Sequence, residues 1–195
     1  MHALNTDPRA TTWTTGSDDT VRQRNSWLRY LRRPTKSDAI AMHRLVSETG
    51  VLDVNSTYAY VLLATDFADT SIVADRGDDL CGLITAYHPP TRPEVLFVWQ
   101  VAVTSAARGT GLAGTMLDAL VHRVRKDRHG HPITVETTVA PSNAPSRALF
   151  GAFARRHRVP IAEQPHFSAA HLDADEAHDD EPLLRIGPLT TTLAD

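Results

Sequence analysis

The chain has 195 residues, 42% of them hydrophobic and 22% charged, which is typical of one soluble globular domain. Its formal net charge of -3 excludes the strongly basic surface with which proteins bind nucleic acid or anionic membranes. The single cysteine, Cys81, excludes an internal disulfide framework, and with neither a long apolar run nor a signal-peptide pattern we expect a cytoplasmic protein with no membrane or nucleic-acid partner.

The first predicted elements are a polar leader, a short strand and two helices. Residues 1–25 are rich in Thr, Asp, Asn, Arg and Ser without periodicity, which predicts a disordered leader. An alternating pattern over 27–31 predicts a short strand. A capping-box spacing then opens a helix that should end at Gly50, and a second helix is predicted over 58–67.

The middle and the end of the chain are dominated by strands. A turn cluster between the first two of them indicates a hairpin. The run E-V-L-F-V-W-Q-V-A-V predicts a long central strand. In chain order the predicted elements are strands over 71–75, 80–87 and 94–103, a helix over 111–126, a strand over 133–139, a helix over 143–156 and a last strand over 182–186.

The stretch A-R-G-T-G-L-A-G, residues 107–114, fits two phosphate-binding patterns. Read from its first glycine it spells the G-x-G-x-x-G of a dinucleotide-binding turn; read from its arginine it spells R-x-x-G-x-A, a loop suited to the pyrophosphate of coenzyme A. Either loop presents backbone N–H groups to phosphate at a helix start. A polar link separates the preceding strand from the glycines, and Glu136, at the ribose-binding distance, lies inside a strand, which favours coenzyme A.

Two motifs in this order, separated by a strand, resemble the signatures of the GNAT superfamily of N-acetyltransferases. The loop meets [Q/R]-x-x-G-x-[G/A], and N-x-x-S-R-A-L-F at 143–150 looks like the second signature. Five phrases between 27 and 186 look more narrowly like the diaminobutyrate acetyltransferase family of ectoine biosynthesis: LDVNSTYAY at 52–60, FADT at 67–70, FVWQVAV at 97–103, ETTVAPSN at 136–143 and HDDE at 178–181.

The resemblance implies a fold, a reaction and a cofactor site. It implies an α/β domain over 26–188, with a GNAT-like mixed, mostly antiparallel twisted sheet flanked by helices and a tail at 189–195. It implies a cytoplasmic homodimer that moves the acetyl group of acetyl-CoA to the 4-amino group of L-2,4-diaminobutyrate, with backbone N–H groups stabilising the oxyanion where the central strand bulges. The implied acetyl-CoA-binding residues are Val101, Val103, Arg108, Gly109, Gly111, Ala113, Gly114, Asn143, Ser146 and Arg147.

The amine site needs acidic groups, because an alkyl ammonium with a pKa of about 10 must lose a proton before it attacks a thioester. Glu136 and Glu181 are both candidates for the general base, acting directly or through a water. The predicted substrate-binding residues are Asp53, Asn55, Tyr58, Trp99, Thr137, His178 and Glu181. For Trp99 a core position, and for Asn143 an ordinary helix N-cap, are the competing interpretations.

Phe150 departs from the superfamily pattern, in which many members have a tyrosine that protonates the leaving thiolate. Tyr58, Tyr60 or a water then takes this role, or the thiolate leaves without an acid, so the candidate catalytic residues are Glu136, Glu181 and Tyr58. We expect no metal, because the nearest histidines lack cysteine or carboxylate ligands at a suitable spacing. The alternative functions are an acetyltransferase for a polyamine or aminoglycoside, a non-catalytic acyl-CoA sensor and a dinucleotide-dependent enzyme.

Overall fold

The computed structural model describes Arg24 and residues 26–77, 79–172 and 179–190. Within these ranges the chain forms one seven-stranded sheet and five α-helices, apart from a helical turn at 26–28. The strands are β1 Leu31–Arg32, β2 Ile72–Asp75, β3 Leu80–Tyr87, β4 Val95–Val103, β5 Ile133–Thr138, β6 Ile161–Phe167 and β7 Glu181–Leu189. The helices are α1 Ala39–Thr49, α2 Thr57–Thr65, α3 Leu112–Asp127, α4 Ala144–His157 and α5 Ala169–Leu172.

The sheet is mixed and mostly antiparallel, so the predicted fold class is confirmed. Its strand order is β1-β2-β3-β4-β5-β7-β6, and only β4 and β5 run parallel. Helices α1 and α2 bury Met42, Tyr60 and Leu63 against one face of the sheet. Helices α3 and α4 bury Met116 and Phe153 against the other face. Two separate apolar cores therefore hold β4, the central strand, between them.

The helix boundaries follow from local sequence signals. Thr35 and Asp38 form the predicted capping box before α1, which ends at Gly50 in the left-handed conformation with a φ of 65°. The side chain of Ser56 caps α2 by accepting a hydrogen bond from the N–H of Ala59. Helix α3 buries Leu112, Met116, Leu120 and Val124, the four apolar positions whose spacing predicted it, together with their neighbours on the same face.

Two segments differ from the prediction. Residues 26–28 are helical, so the strand predicted over 27–31 is wrong except at its last residue. The N–H of Tyr30 closes this turn onto the carbonyl of Trp27, whose ring is buried in the core. Strand β6 was not predicted, because all seven of its residues are exposed and carry no apolar alternation. Its hydrogen bonds to β7 hold it in the sheet.

Three further points bear on the expectations drawn from the sequence. None of the helices in the described ranges is both long enough and apolar enough to cross a membrane. The leader predicted for 1–25 lies outside the described residues except for Arg24, and so do residues 191–195 of the predicted tail. The boundaries of the predicted domain stay a prediction.

Candidate active site

Strand β4 leaves the regular ladder at the position where the resemblance implied oxyanion binding. Val98 pairs with Ala86 of β3, but Gln100 pairs with Thr85, so Trp99 is an extra residue and forms a β-bulge. On its other edge, β4 pairs with β5 only as far as Phe97. Beyond this point the two parallel strands diverge, and the backbone of β4 on that edge has no registered partner in β5.

A cleft of about 980 Å³ opens at this divergence. It is bounded by the α1–α2 loop, the ends of β3, β4 and β5, the start of α4 and the start of β7. Its polar and aromatic lining comprises Asp53, Phe67, Tyr87, Phe97, Trp99, Gln100, Thr137, Thr138, Ser142, Asn143, Ser146, Phe150, Phe167, Asp179 and Glu181. In the part of the chain that the structure describes, no Lys, Arg or His lines the cleft, whereas three carboxylates do. This lining suits a ligand that carries ammonium groups.

The structure brings together four of the seven predicted substrate-binding residues: Asp53, Trp99, Thr137 and Glu181 line the cleft. Tyr58 does not line it, and its side chain is 70% exposed in the first turn of α2. Asn55 also lies outside the lining, and its buried Nδ2 atom has no hydrogen-bond partner among the described residues. His178 lies outside the described residues.

Glu181 has a free side toward the cleft. Its Oε2 atom accepts a hydrogen bond from the hydroxyl of Thr138 at 2.6 Å. Among the described residues no hydrogen bond or ion pair involves its Oε1 atom. A half-buried carboxylate with one engaged oxygen and one open oxygen is able to accept a proton from a ligand.

Glu136 has a different environment. Its side chain is 0% exposed, and its two oxygens bind the guanidinium groups of Arg92, at 2.6 Å, and of Arg185. It does not line the cleft. The two arginines occupy both carboxylate oxygens, which is the arrangement a buried charge requires to be stable.

The glycine-rich loop is suited to bind a pyrophosphate. Gly109 and Gly111 have φ values of 75° and 81°, which glycine adopts without strain. Helix α3 then begins at Leu112 with no capping side chain, so its first-turn N–H groups lack a side-chain acceptor. A helix start of this kind binds anions, which fits the diphosphate of coenzyme A. Arg108, Ala113 and Gly114 belong to the same turn.

The start of α4 contributes a second group of predicted cofactor residues. Asn143 is the N-cap of α4, where its side chain accepts the N–H of Ser146 at 3.1 Å, and both residues also line the cleft. Arg147 points elsewhere, because its guanidinium binds Glu163 of β6 and the carbonyl of Val139. In β4, Val101 lines the cleft, whereas Val103 lies outside its lining and pairs with Gly82.

Sequence reasoning missed a charged cluster beside the glycine loop. Asp118 of α3 is bound by Arg156 and His157 of α4 and by Arg24. Burial by itself would raise the pKa of Asp118, but the hydrogen bonds and charges of these neighbours outweigh it and lower the pKa. Arg24 packs against Gly111, so residues from three parts of the sequence meet at the loop. No spacing pattern in the sequence connects them.

Sequence reasoning also missed several residues that line the cleft, among them Tyr87 and Gln100. Burial raises the pKa of Tyr87, so its phenol stays protonated at neutral pH. Its ring lies tilted at 5.2 Å from the ring of Phe97 and edge-on at 6.2 Å from that of Phe67, giving the cleft an aromatic wall. Tyr87 and Gln100 lie in apolar runs, which in the sequence indicate only core strands. The described residues contain no group of three or more potential metal ligands.

The topology does not fit the dinucleotide alternative. A dinucleotide-binding turn follows the first strand of a parallel βαβ unit. Here β4, α3 and β5 do form one parallel βαβ unit, but β4 is preceded by three antiparallel strands, and a short 3-10 helix, Ser105–Ala107, separates it from the glycines. A loop that binds coenzyme A needs neither a place at the start of the fold nor a direct connection to its strand.

Comparisons with known proteins agree with this geometry. Residues 38–154 match the model of the acetyltransferase (GNAT) family. The L-2,4-diaminobutyric acid acetyltransferase of Bordetella parapertussis is 47% identical, with 90% of this chain and 94% of that protein aligned. The same enzyme of Chromohalobacter salexigens is 41% identical, with 82% and 81% aligned.

Comparison with solved structures also finds acetyltransferases. The diaminobutyrate acetyltransferase of Paenibacillus lautus, solved in complex with its substrate L-2,4-diaminobutyric acid and coenzyme A, superposes with a TM-score of 0.75. It is 39% identical, and 84% of this chain and 97% of that chain are covered. The ribosomal-protein-S18-alanine N-acetyltransferase of Escherichia coli, at 14% identity and a TM-score of 0.57, shares the fold alone.

Proposed function

This chain belongs to the acetyltransferase (GNAT) family, and we propose that it transfers the acetyl group of acetyl-CoA to the 4-amino group of L-2,4-diaminobutyrate. The product, N4-acetyl-diaminobutyrate, serves ectoine synthesis. The observation that carries the proposal is the cleft at the divergence of β4 and β5, which three carboxylates and no described cation line. A substrate with two ammonium groups matches this lining, and relatives of that activity align with more than four fifths of the chain.

Different residues of the cleft bind the substrate amine and activate it. Acetyl-CoA supplies the activated thioester carbonyl. We assign Asp53 to one ammonium of the substrate and the open oxygen of Glu181 to the proton of the attacking amine. Thr138 orients Glu181 through its hydroxyl. The aromatic wall formed by Tyr87, Phe97 and Phe67 excludes water around the reacting groups.

The bond changes fix what the rest of the site must do. The ammonium first gives one proton to Glu181. The amine nitrogen then bonds to the carbonyl carbon, after which the carbon–sulfur bond breaks, and the second nitrogen proton leaves to water. We assign stabilisation of the oxyanion to the N–H of Val101, next to the bulge, where donors are fixed before reaction. Phe150 lines the cleft and has no proton to donate, so the thiolate takes its proton from water.

A thiol-release assay tests the substrate. Acetyl-CoA is offered with L-2,4-diaminobutyrate and, in parallel, with 2,3-diaminopropionate, ornithine, lysine and spermidine, and the acetylated nitrogen is identified by NMR. We expect the highest kcat/KM with diaminobutyrate and acetylation of N4. Faster release with spermidine would replace the substrate and keep the reaction class, whereas coenzyme A binding with no release for any amine would favour an acyl-CoA sensor.

We also propose a cytoplasmic homodimer, and this rests on the resemblance to the diaminobutyrate acetyltransferase family. Sedimentation equilibrium at micromolar concentration checks the assembly. We expect one species of twice the 21.4 kDa chain mass. A species of single chain mass over the whole concentration range would contradict the dimer and would leave the assignment of the cleft unaffected.

A further inference from the structure

Gln100 is a buried amide that the proposed chemistry does not use. Its residue is 4% exposed, although it is polar and lies in the central strand. The bulge at Trp99 explains its direction. Before the bulge, Leu96 and Val98 pack with the α3–α4 core; after it, Ala102 packs with the α1–α2 core. The extra residue therefore reverses the alternation and turns Gln100 toward α2 and the α1–α2 loop.

Gln100 connects this strand to the loop that carries Asp53. Its Nε2 donates a hydrogen bond to the carbonyl of Asp53 at 2.9 Å. Its Oε1 accepts one from the hydroxyl of Tyr60 at 3.3 Å, and its backbone N–H donates to the hydroxyl of Thr85 at 3.2 Å. Every polar group of this residue that faces the site therefore has a partner, as burial of an amide requires.

The carbonyl of Asp53 fixes which end of the amide faces the loop, because a carbonyl only accepts and therefore requires the Nε2 end. The phenol of Tyr60, which can donate or accept, then donates to Oε1. Tyr60 is fully buried and its ring packs edge-on against His43 at 5.7 Å. The amide is thus held in one orientation by partners at both of its ends.

Besides the hydrogen bond from Gln100, Leu52 at the start of the loop packs against the α1–α2 core. In the described chain, no backbone-to-backbone hydrogen bond ties residues 52–55 to another element. Asp53 is exposed at the cleft, so the position of its carboxylate depends on how its own backbone is held. The hydrogen bond from Gln100 holds the backbone of Asp53, the residue whose carboxylate we assign to the substrate ammonium.

We propose that Gln100 is a positioning residue that sets the distance between the amine-binding loop and the bulge of β4 at which the acetyl group is held. The inference rests on the proposed function in that Asp53 binds the substrate ammonium. An amine attacks only when it lies about 3–3.5 Å from the carbonyl carbon, and a misplacement of about 1 Å costs on the order of 100-fold in rate. Gln100 belongs to β4 and is hydrogen-bonded to the loop that carries Asp53, so it is suited to fix the spacing between the two.

The test uses Gln100→Met, which keeps the length of the side chain and removes its hydrogen bonds. We expect the KM for diaminobutyrate to rise on the order of tenfold and kcat to fall, because the amine is held loosely. The KM for acetyl-CoA and the Kd for coenzyme A stay within about twofold of wild type. Tyr60→Phe gives a smaller change in the same direction. In this variant Nε2 of Gln100 still donates to the carbonyl of Asp53, but Oε1 loses the hydroxyl that anchors the amide.

Leu83→Ala is the matched control, since it removes apolar contacts in the same α1–α2 core and leaves the hydrogen bond from Gln100 to Asp53 in place. It should lower Tm and leave the KM for diaminobutyrate unchanged. Backbone order parameters from NMR relaxation supply a readout that needs no substrate: those of residues 52–55 should be lower in Gln100→Met than in wild type or Leu83→Ala.

Failure of the substrate assignment is distinguishable from failure of this inference. If wild type acetylates another amine, the kinetics are run with that amine; if it acetylates none, the order parameters decide. Unchanged order parameters at residues 52–55 in Gln100→Met would overturn the proposal. So would an equal rise of the KM for the amine and of the KM for acetyl-CoA, which is the pattern of a general packing defect.

Discussion

Glu136 and Glu181 lie in neighbouring strands of the sheet, and their surroundings give them different chemistry. Two guanidinium groups hold Glu136 in the sheet, where it is fully buried. Among the described residues, one hydroxyl holds Glu181 at the cleft and the other carboxylate oxygen has no partner. A base must be able to reach the proton it removes, so geometry separates two residues that the sequence left equivalent.

Paired substitutions of these two residues test the assignment of the base. We expect Glu181→Gln to lower kcat on the order of 100-fold with little loss of stability, since the amide still accepts from Thr138. Glu136→Gln should instead lower the free energy of unfolding by roughly 1–3 kcal/mol, because Arg92 and Arg185 lose their shared partner. Turnover and chemical denaturation measured on both variants decide, and loss of turnover in stable Glu136→Gln alone would reverse the roles.

At the scale of secondary-structure elements, the backbone conformation of the glycine-rich loop sets the position of the first turn of α3. Gly111 has a φ of 81°, and a Cβ there would lie 3.1 Å from Cγ of Arg24. Gly111→Ala should cost about 1–2 kcal/mol of backbone strain and raise the KM for acetyl-CoA several-fold, because the first-turn N–H groups shift. Gly130→Ala is the matched control: its φ is 77°, no atom of the described residues lies within 4 Å of the added Cβ, and it follows the other end of α3. An equal effect of both variants on this KM would contradict a role for the loop.

The contact between α3 and α4 depends on the charge of Asp118. Although burial opposes ionisation, Arg156, His157 and Arg24 lower the pKa of Asp118. A carboxyl group whose pKa is lower in the folded state stabilises the protein above its unfolded pKa of about 4, and this stabilisation is lost as pH falls through the folded pKa. Asp118→Asn should therefore lower Tm by about 4–8 °C at pH 7, and the difference from wild type should shrink below about pH 4. A difference that is constant from pH 7 to pH 3 would argue against this electrostatic role.

At the scale of the whole molecule, periodicity and turn signals predicted most elements, because most strands and helices here bury an apolar face. Strand β6 was missed since it buries none and depends on β7 for its hydrogen bonds. The link from Gln100 to Asp53 was out of reach because it spans 47 positions and needs the bulge that reverses the strand. The sequence motifs marked the candidate cofactor loop and several residues of the cleft. The hydrogen-bond and ion-pair partners of the charged side chains could be identified only from the folded structure.

Binding of coenzyme A should stabilise the whole domain, because the ligand would contact the loop of α3, the start of α4 and the divergent β4 and β5 together. A ligand at 100 times its Kd adds about 2.7 kcal/mol to the free energy of unfolding. For a chain of this length that corresponds to a rise in Tm of about 5–10 °C. NAD is the control, since it carries an adenosine diphosphate but binds a turn that follows its strand directly, whereas here a 3-10 helix separates β4 from the glycines. Differential scanning fluorimetry with each ligand measures both shifts, and a shift with NAD as large as with coenzyme A would mean that the loop binds diphosphates without regard to the rest of the cofactor.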